Sequence, residues 1–153
     1  MGAGEQFQIS GTHPLLLEKV LDDSSLDKTN FVLLHGGWPF VHEVTVLLGR
    51  HNLWADFSSQ TFILPPRALS AVIREWLEVY PERVMFGTDA FPGSPEANWE
   101  EYGWITATTG RKALARALTG MVQDGEISRA RAAELAHAVM HDNAARLYGW
   151  SRR

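Results

Sequence analysis

An α/β fold built on a parallel sheet is predicted by three features of this chain. Short apolar runs of strand length alternate with longer segments that carry a helical stripe. Two of those runs end on a reactive side chain: Phe31-Val32-Leu33-Leu34 runs into His35-Gly36-Gly37, and Val84-Met85-Phe86 into Gly87-Thr88-Asp89. Parallel α/β folds display reactive groups in this way, because ligands bind beyond the carboxyl ends of the strands. The strand-helix-strand-helix order itself implies parallel pairing with right-handed crossovers.

Composition bounds the reading. With 153 residues, 45% of them hydrophobic and 21% charged, residues 1–153 are expected to form a single globular domain with its own core. A net charge of -4 and scattered Lys and Arg leave no basic stripe for nucleic acid. Cysteine is absent, which removes disulfides and thiolate metal sites. The N-terminal residues show no cationic stretch followed by an apolar core, and no apolar run approaches the roughly 20 residues of a membrane helix. A cytoplasmic protein with neither nucleic-acid nor membrane partners is the expectation.

The elements follow in order. Phe7-Gln8-Ile9 is the first strand candidate, and Pro14 suits the first turn of a short helix through Leu21. After the polar stretch Asp22 to Thr29, Asn30 to Leu34 is apolar enough to be a strand covered on both faces. Pro39 opens a helix with Val41, Val44, Leu47 and Leu48 on one face, stopped near Gly49. Leu53 to Phe57 is the third strand. From Pro66 to Tyr80, Leu69, Val72, Ile73, Trp76, Leu77 and Tyr80 keep helical spacing until Pro81 ends it. Val84 to Phe86 is the fourth strand. Beyond the loop from Pro92 to Asn98 the pattern is wholly helical. One stripe runs through Leu114, Leu118, Met121 and Val122 to Asp124-Gly125; a second, after the N-cap candidate Ser128, runs through Leu135, Val139 and Leu147. About four parallel strands followed by helices amount to half of an eight-stranded barrel.

Five residues are candidates for the site. Asp89, at a strand end, is placed to hold a divalent cation or to act as a general base; the alternative is a turn-capping Asp. His35, followed by two glycines that let backbone or substrate approach closely, is placed to bind metal or shuttle a proton; the alternative is a buried structural His. Both would emerge on one rim. Asp56 shares a strand face with Trp54 and Ser58 and reads as a pocket residue or a partnered structural carboxylate. Trp38 and Phe40 either wall a substrate pocket or pack between helix and strand. His13, His42 and His51 have no metal-ligand spacing, and His137 and His141, four apart on one helix face, are expected to be solvated for want of an acidic partner.

Taken as a set, Asn30-Phe-Val-Leu-Leu-His35-Gly-Gly-Trp-Pro39, Asn52-Leu-Trp-Ala-Asp56-Phe-Ser58, Glu82-Arg-Val-Met-Phe-Gly-Thr-Asp89 and Asn143-Ala-Ala-Arg-Leu-Tyr-Gly149 resemble the amidohydrolase-related family. Its members are metal-dependent hydrolases and decarboxylases on TIM barrels, and the resemblance covers strands five to eight and the terminal helices. It implies a divalent metal, usually zinc, held by a His-x-His on strand one, a His on strand five and an Asp on strand eight. Asp89 matches that Asp, serving as ligand and base, and His35 matches the catalytic His of strand six. The His-x-His has no counterpart here. Ser10 stands where the strand-five His should follow Phe7-Gln8-Ile9, with His13 near but out of register. Two expectations follow for the chain. One is a truncated metal-dependent hydrolase or decarboxylase of a small-molecule substrate, with impaired or absent activity alone. The other is a non-catalytic module that associates through open sheet edges with another copy or a complementary half-barrel.

Overall fold

The computed structural model describes residues 8–93 and 98–150. Its sheet has three parallel strands in sequential order, β1 (Phe31–Leu33), β2 (Leu53–Asp56) and β3 (Val84–Met85). Phe31 pairs with Leu53 and Ala55 with Val84, so the three carboxyl ends open on one rim. Helices α1 (Glu18–Leu21), α2 (Val41–Leu47), α3 (Gln60–Ile63) and α4 (Pro66–Val79) precede or connect the strands. After them come α5 (Trp99–Gln123), α6 (Arg129–His137) and α7 (Asn143–Tyr148). This is part of an α/β barrel wall followed by helices. No helix among the described residues is long and apolar enough to cross a membrane.

The first of the expected strands, Phe7-Gln8-Ile9, does not form within the described residues. Ile9–Thr12 is a 3-10 turn, and Phe7 lies outside the described region. The turn satisfies its own backbone: Gly11 N–H donates to the Gln8 carbonyl at 3.0 Å and the Thr12 hydroxyl to the Ile9 carbonyl at 2.8 Å. β1 is also shorter than Asn30 to Leu34 and only half-buried, because it lies at the sheet's edge. Cover on both faces belongs to the central strand, where Leu53 and Ala55 are fully buried.

Helix α4 organises the core. Pro66 starts it where its missing N–H costs nothing, and Leu69, Ile73, Trp76 and Leu77 are its buried face. They pack with Ala55 and Phe57 of the β2 segment, with Ala113, Leu114, Ala117, Leu118 and Met121 of α5, and with Leu135 and Val139 beyond it. Burying each large apolar side chain contributes about 1.5–3 kcal/mol. Trp76 Nε1–H also donates to the Val41 carbonyl at 3.1 Å, which ties α4 to α2.

The sheet is less open than half a barrel suggests. On the face that carries Asp56, Trp54 is 8% and Met85 4% exposed, and the Arg83 guanidinium lies 4.5 Å over the Trp54 ring. The outer edge of β3 is occupied as well. Between α6 and α7 the helix widens into a π turn, Ala138–Asp142, in which Asn143 N–H reaches back to the Ala138 carbonyl rather than to that of Val139. The freed Val139 carbonyl accepts Phe86 N–H at 3.0 Å, and the buried Asn143 amide donates to Pro81 and Val84 carbonyls at 2.8 Å each. Expected open edges are thus reduced at β3, because the helix supplies the partners a neighbouring strand would have provided.

Asn143→Ala should therefore lower unfolding stability by about 1–3 kcal/mol, since a buried and a part-buried carbonyl lose their donor. Urea denaturation measures it; a change within about 0.5 kcal/mol, typical of an inert surface substitution, would contradict the edge role.

Candidate functional site

Each strand hands over to a residue in the left-handed backbone region. His35 (φ 61°), Ser59 (φ 55°) and Asp89 (φ 64°) are the non-glycine residues with positive φ among those described. Such a conformation costs on the order of 1–3 kcal/mol and persists where surrounding structure enforces it, often at functional sites. All three lie just past the ends of β1, β2 and β3 on the same rim.

The glycines after His35 allow this. Gly36 has φ 49°, and a Cβ there would strike the Trp76 ring and lie 2.6 Å from Gln60 Nε2. With no side chain in the way, the buried Gln60 amide donates to the His35 carbonyl at 2.9 Å. The loop is pinned from the other side by Asp56. Its Oδ1 accepts the His35 backbone N–H at 2.9 Å, the Ser58 N–H at 3.0 Å and the Ser58 hydroxyl at 2.5 Å.

This network orients the imidazole. Because the Ser58 hydroxyl proton goes to Asp56, the Ser58 oxygen is left to accept, and His35 Nδ1 lies 3.0 Å from it. Nδ1 therefore carries a proton, and Nε2 points outward, 4.0 Å from Asp89 Oδ2. The His35 side chain is 17% exposed and that of Asp89 44%. Asp89 is thus the more accessible of the two. In the neutral imidazole the Nε2 lone pair faces a carboxylate oxygen, an arrangement that favours an electrophile between them: a proton, a polarised water or a cation.

One divalent ion with bonds of about 2.0–2.2 Å would reach both atoms. A catalytic zinc takes about three protein ligands. Asp56 Oδ1 already accepts three hydrogen bonds, and among the described residues no third acid or His joins the His35–Asp89 pair in a metal-sized cluster. The described residues do not by themselves fit a complete catalytic metal centre.

His13 lies apart in a structural role, its Nδ1 accepting Leu15 N–H at 3.4 Å as a cap on the Pro14 turn. Phe40 packs on the His13 ring, 4.2 Å between centroids, and Trp38 packs against the core. A cavity of about 370 Å³ beside Asp89 is walled by Phe91, Asn98, Trp99 and Tyr102. Tyr102 approaches the rim through a 3.3 Å contact between its hydroxyl and Ser59 Oγ. Sequence reading passed over Ser58, Gln60 and these aromatic walls. Ser58 was within reach, being two residues beyond Asp56 on the same face. Nothing in spacing announces Trp99 or Tyr102, which reach the rim only through the path of α5.

A sequence model of the family described as amidohydrolase matches residues 4–150. Protein fluG of Emericella nidulans is 28% identical over 125 residues, which cover 79% of this chain and 14% of fluG. No solved structure matches the chain.

Ser58→Ala should release the imidazole. In ¹⁵N spectra neutral His35 is expected to hold its proton on Nδ1 in the parent chain and to lose that preference in the variant. A parent ring already protonated on Nε2 would contradict the relay.

Proposed function

The chain belongs to the amidohydrolase family, a family of hydrolases acting on small molecules, and on that premise we propose that it carries the acid–base half of a hydrolytic centre. The reaction is cleavage of a C–N or C–O bond, with decarboxylation as the close variant. What supports this reading is the 4.0 Å approach of His35 Nε2 to Asp89 Oδ2 on a rim where all three strand ends are strained.

The roles follow from exposure and hydrogen bonding. Asp89, the more open group, takes a proton from water as the water oxygen bonds to the substrate carbonyl carbon. His35, protonated on both nitrogens, gives its Nε2 proton to the departing nitrogen or oxygen as that bond breaks. It is left as the Nδ1–H tautomer that Ser58 and Asp56 stabilise. The proton held by Asp89 then returns to Nε2, so one water is consumed and both side chains are restored. Asp56 and Ser58 act as positioning residues; Trp38 and Phe40 support the rim from the core side and from His13.

Zinc is the ion the family resemblance implies, and the described residues offer it two donors, His35 and Asp89, so it needs further ligands. We take residues 1–153 as one unit equivalent to the second half of a barrel, completed by a complementary half-barrel or a second copy, with impaired turnover alone. The chain spans 14% of the length of its fluG relative.

Turnover should be assayed on a panel of amides, esters and carboxylic acids with zinc supplied. Asp89→Asn and His35→Gln are each expected to reduce it by about 10²–10⁴-fold, the usual worth of a positioned acid or base, with the fold intact by circular dichroism. Equal turnover in parent and Asp89→Asn would sink the assignment.

A further inference from the structure

The π turn that docks on β3 has a second consequence. In an ideal α-helix at about 100° per residue, a side chain five positions on lies about 140° away from the first. His137 and His141 would then share a face that excludes Asp142. The wider turn over Ala138–Asp142 brings all three together: one ligand atom from each lies within 4.8 Å of the others. This corrects the expectation that the two imidazoles lack an acidic partner. The two oxygens of Asp142 sit between them, Oδ2 at 3.0 Å from His137 Nδ1 and Oδ1 at 2.7 Å from His141 Nδ1.

We propose that His137, His141 and Asp142 form a surface site for a late first-row divalent ion, zinc above all, separate from the His35–Asp89 rim. Two imidazoles and a carboxylate suit zinc, cobalt, nickel or copper, whereas calcium and magnesium prefer all-oxygen sets. The side chains are 58%, 37% and 54% exposed, so an ion can enter and water can complete its coordination. Binding replaces the hydrogen bonds now made between the rings and the carboxylate. The scaffold is fixed beforehand: Val139 and Asn143, within and just after the turn, are buried, and both are bonded to the β3 edge. Preorganised donors lose less freedom on binding than donors on a fraying helix end. The ion would bridge the end of α6 and the π turn, reinforcing the element that holds β3, the strand leading to Asp89.

The competing account is an ordinary exposed ion-pair cluster, which contributes little and binds nothing. Untagged protein carrying Asp89→Asn separates this site from the rim. Zinc titrated against a chromophoric chelator should show one bound ion in that background. Adding His137→Gln or His141→Gln should weaken it by at least about tenfold. Because both residues are surface-accessible, the fold should survive, and thermal unfolding without metal checks that it does. In ¹⁵N spectra the ring signals of His137 and His141 should move together with zinc and stay still with magnesium. Zinc binding unchanged by either substitution, ring signals that do not move, or no bound zinc would each overturn the proposal.

Discussion

A single carboxylate oxygen ties two of the three strand ends of the rim together. Asp56 Oδ1 receives the backbone N–H of His35 from the end of β1 and two donors from Ser58 at the end of β2. Removing it would strand three donors at once and release His35 from its left-handed conformation. Charge-assisted bonds of this kind are stronger than neutral ones. That strength can offset the unfavourable backbone conformations at His35 and near Ser58, which hydrophobic packing, being non-directional, cannot do alone. The site thus depends on an acidic group that touches no reacting atom in the proposed chemistry.

The core contributes by making that arrangement the only one available. Trp76 lies where any side chain on Gly36 would have to go, and its indole N–H is bound to Val41 on the far side of the same loop. Gln60, fully buried, holds the His35 carbonyl. The loop is therefore clamped at its amide by Asp56, at its carbonyl by Gln60 and at its glycine by Trp76. Three elements distant in sequence converge on two residues, which explains how a short apolar run can deliver an imidazole with a defined tautomer.

Much of this was legible from local pattern. The periodicity of Leu69, Ile73, Trp76 and Leu77 reports a helix face directly, and the two apolar runs ending at His35 and Asp89 report strands that share a rim. What stayed hidden depends on partners far away in the chain. The Phe7-Gln8-Ile9 run looks like a strand until a turn satisfies its backbone locally, and its first residue lies outside the described region. The three-residue β1 reads as fully covered because apolarity says nothing about its place at the edge. Asp56 reads as a partnered structural carboxylate before a pocket residue, but which partners it has lies in where Ser58 and the His35 amide end up. The π turn is invisible to a 3.6-residue count: it exists because the edge of β3 needs an acceptor at Val139, a demand set by the tertiary fold.

That last point bears on how a partial barrel wall remains ordered. A strand cut from a closed barrel exposes unpaired amides and carbonyls, and the usual remedy is another strand. Here a helix takes that role by breaking its own hydrogen-bond register for one turn, lending a backbone carbonyl and a buried amide to the strand. The arrangement covers β3 but leaves β1 half-buried, with Leu34 beyond it 59% exposed. Among the described residues, the barer edge of the sheet is therefore the one beyond β1.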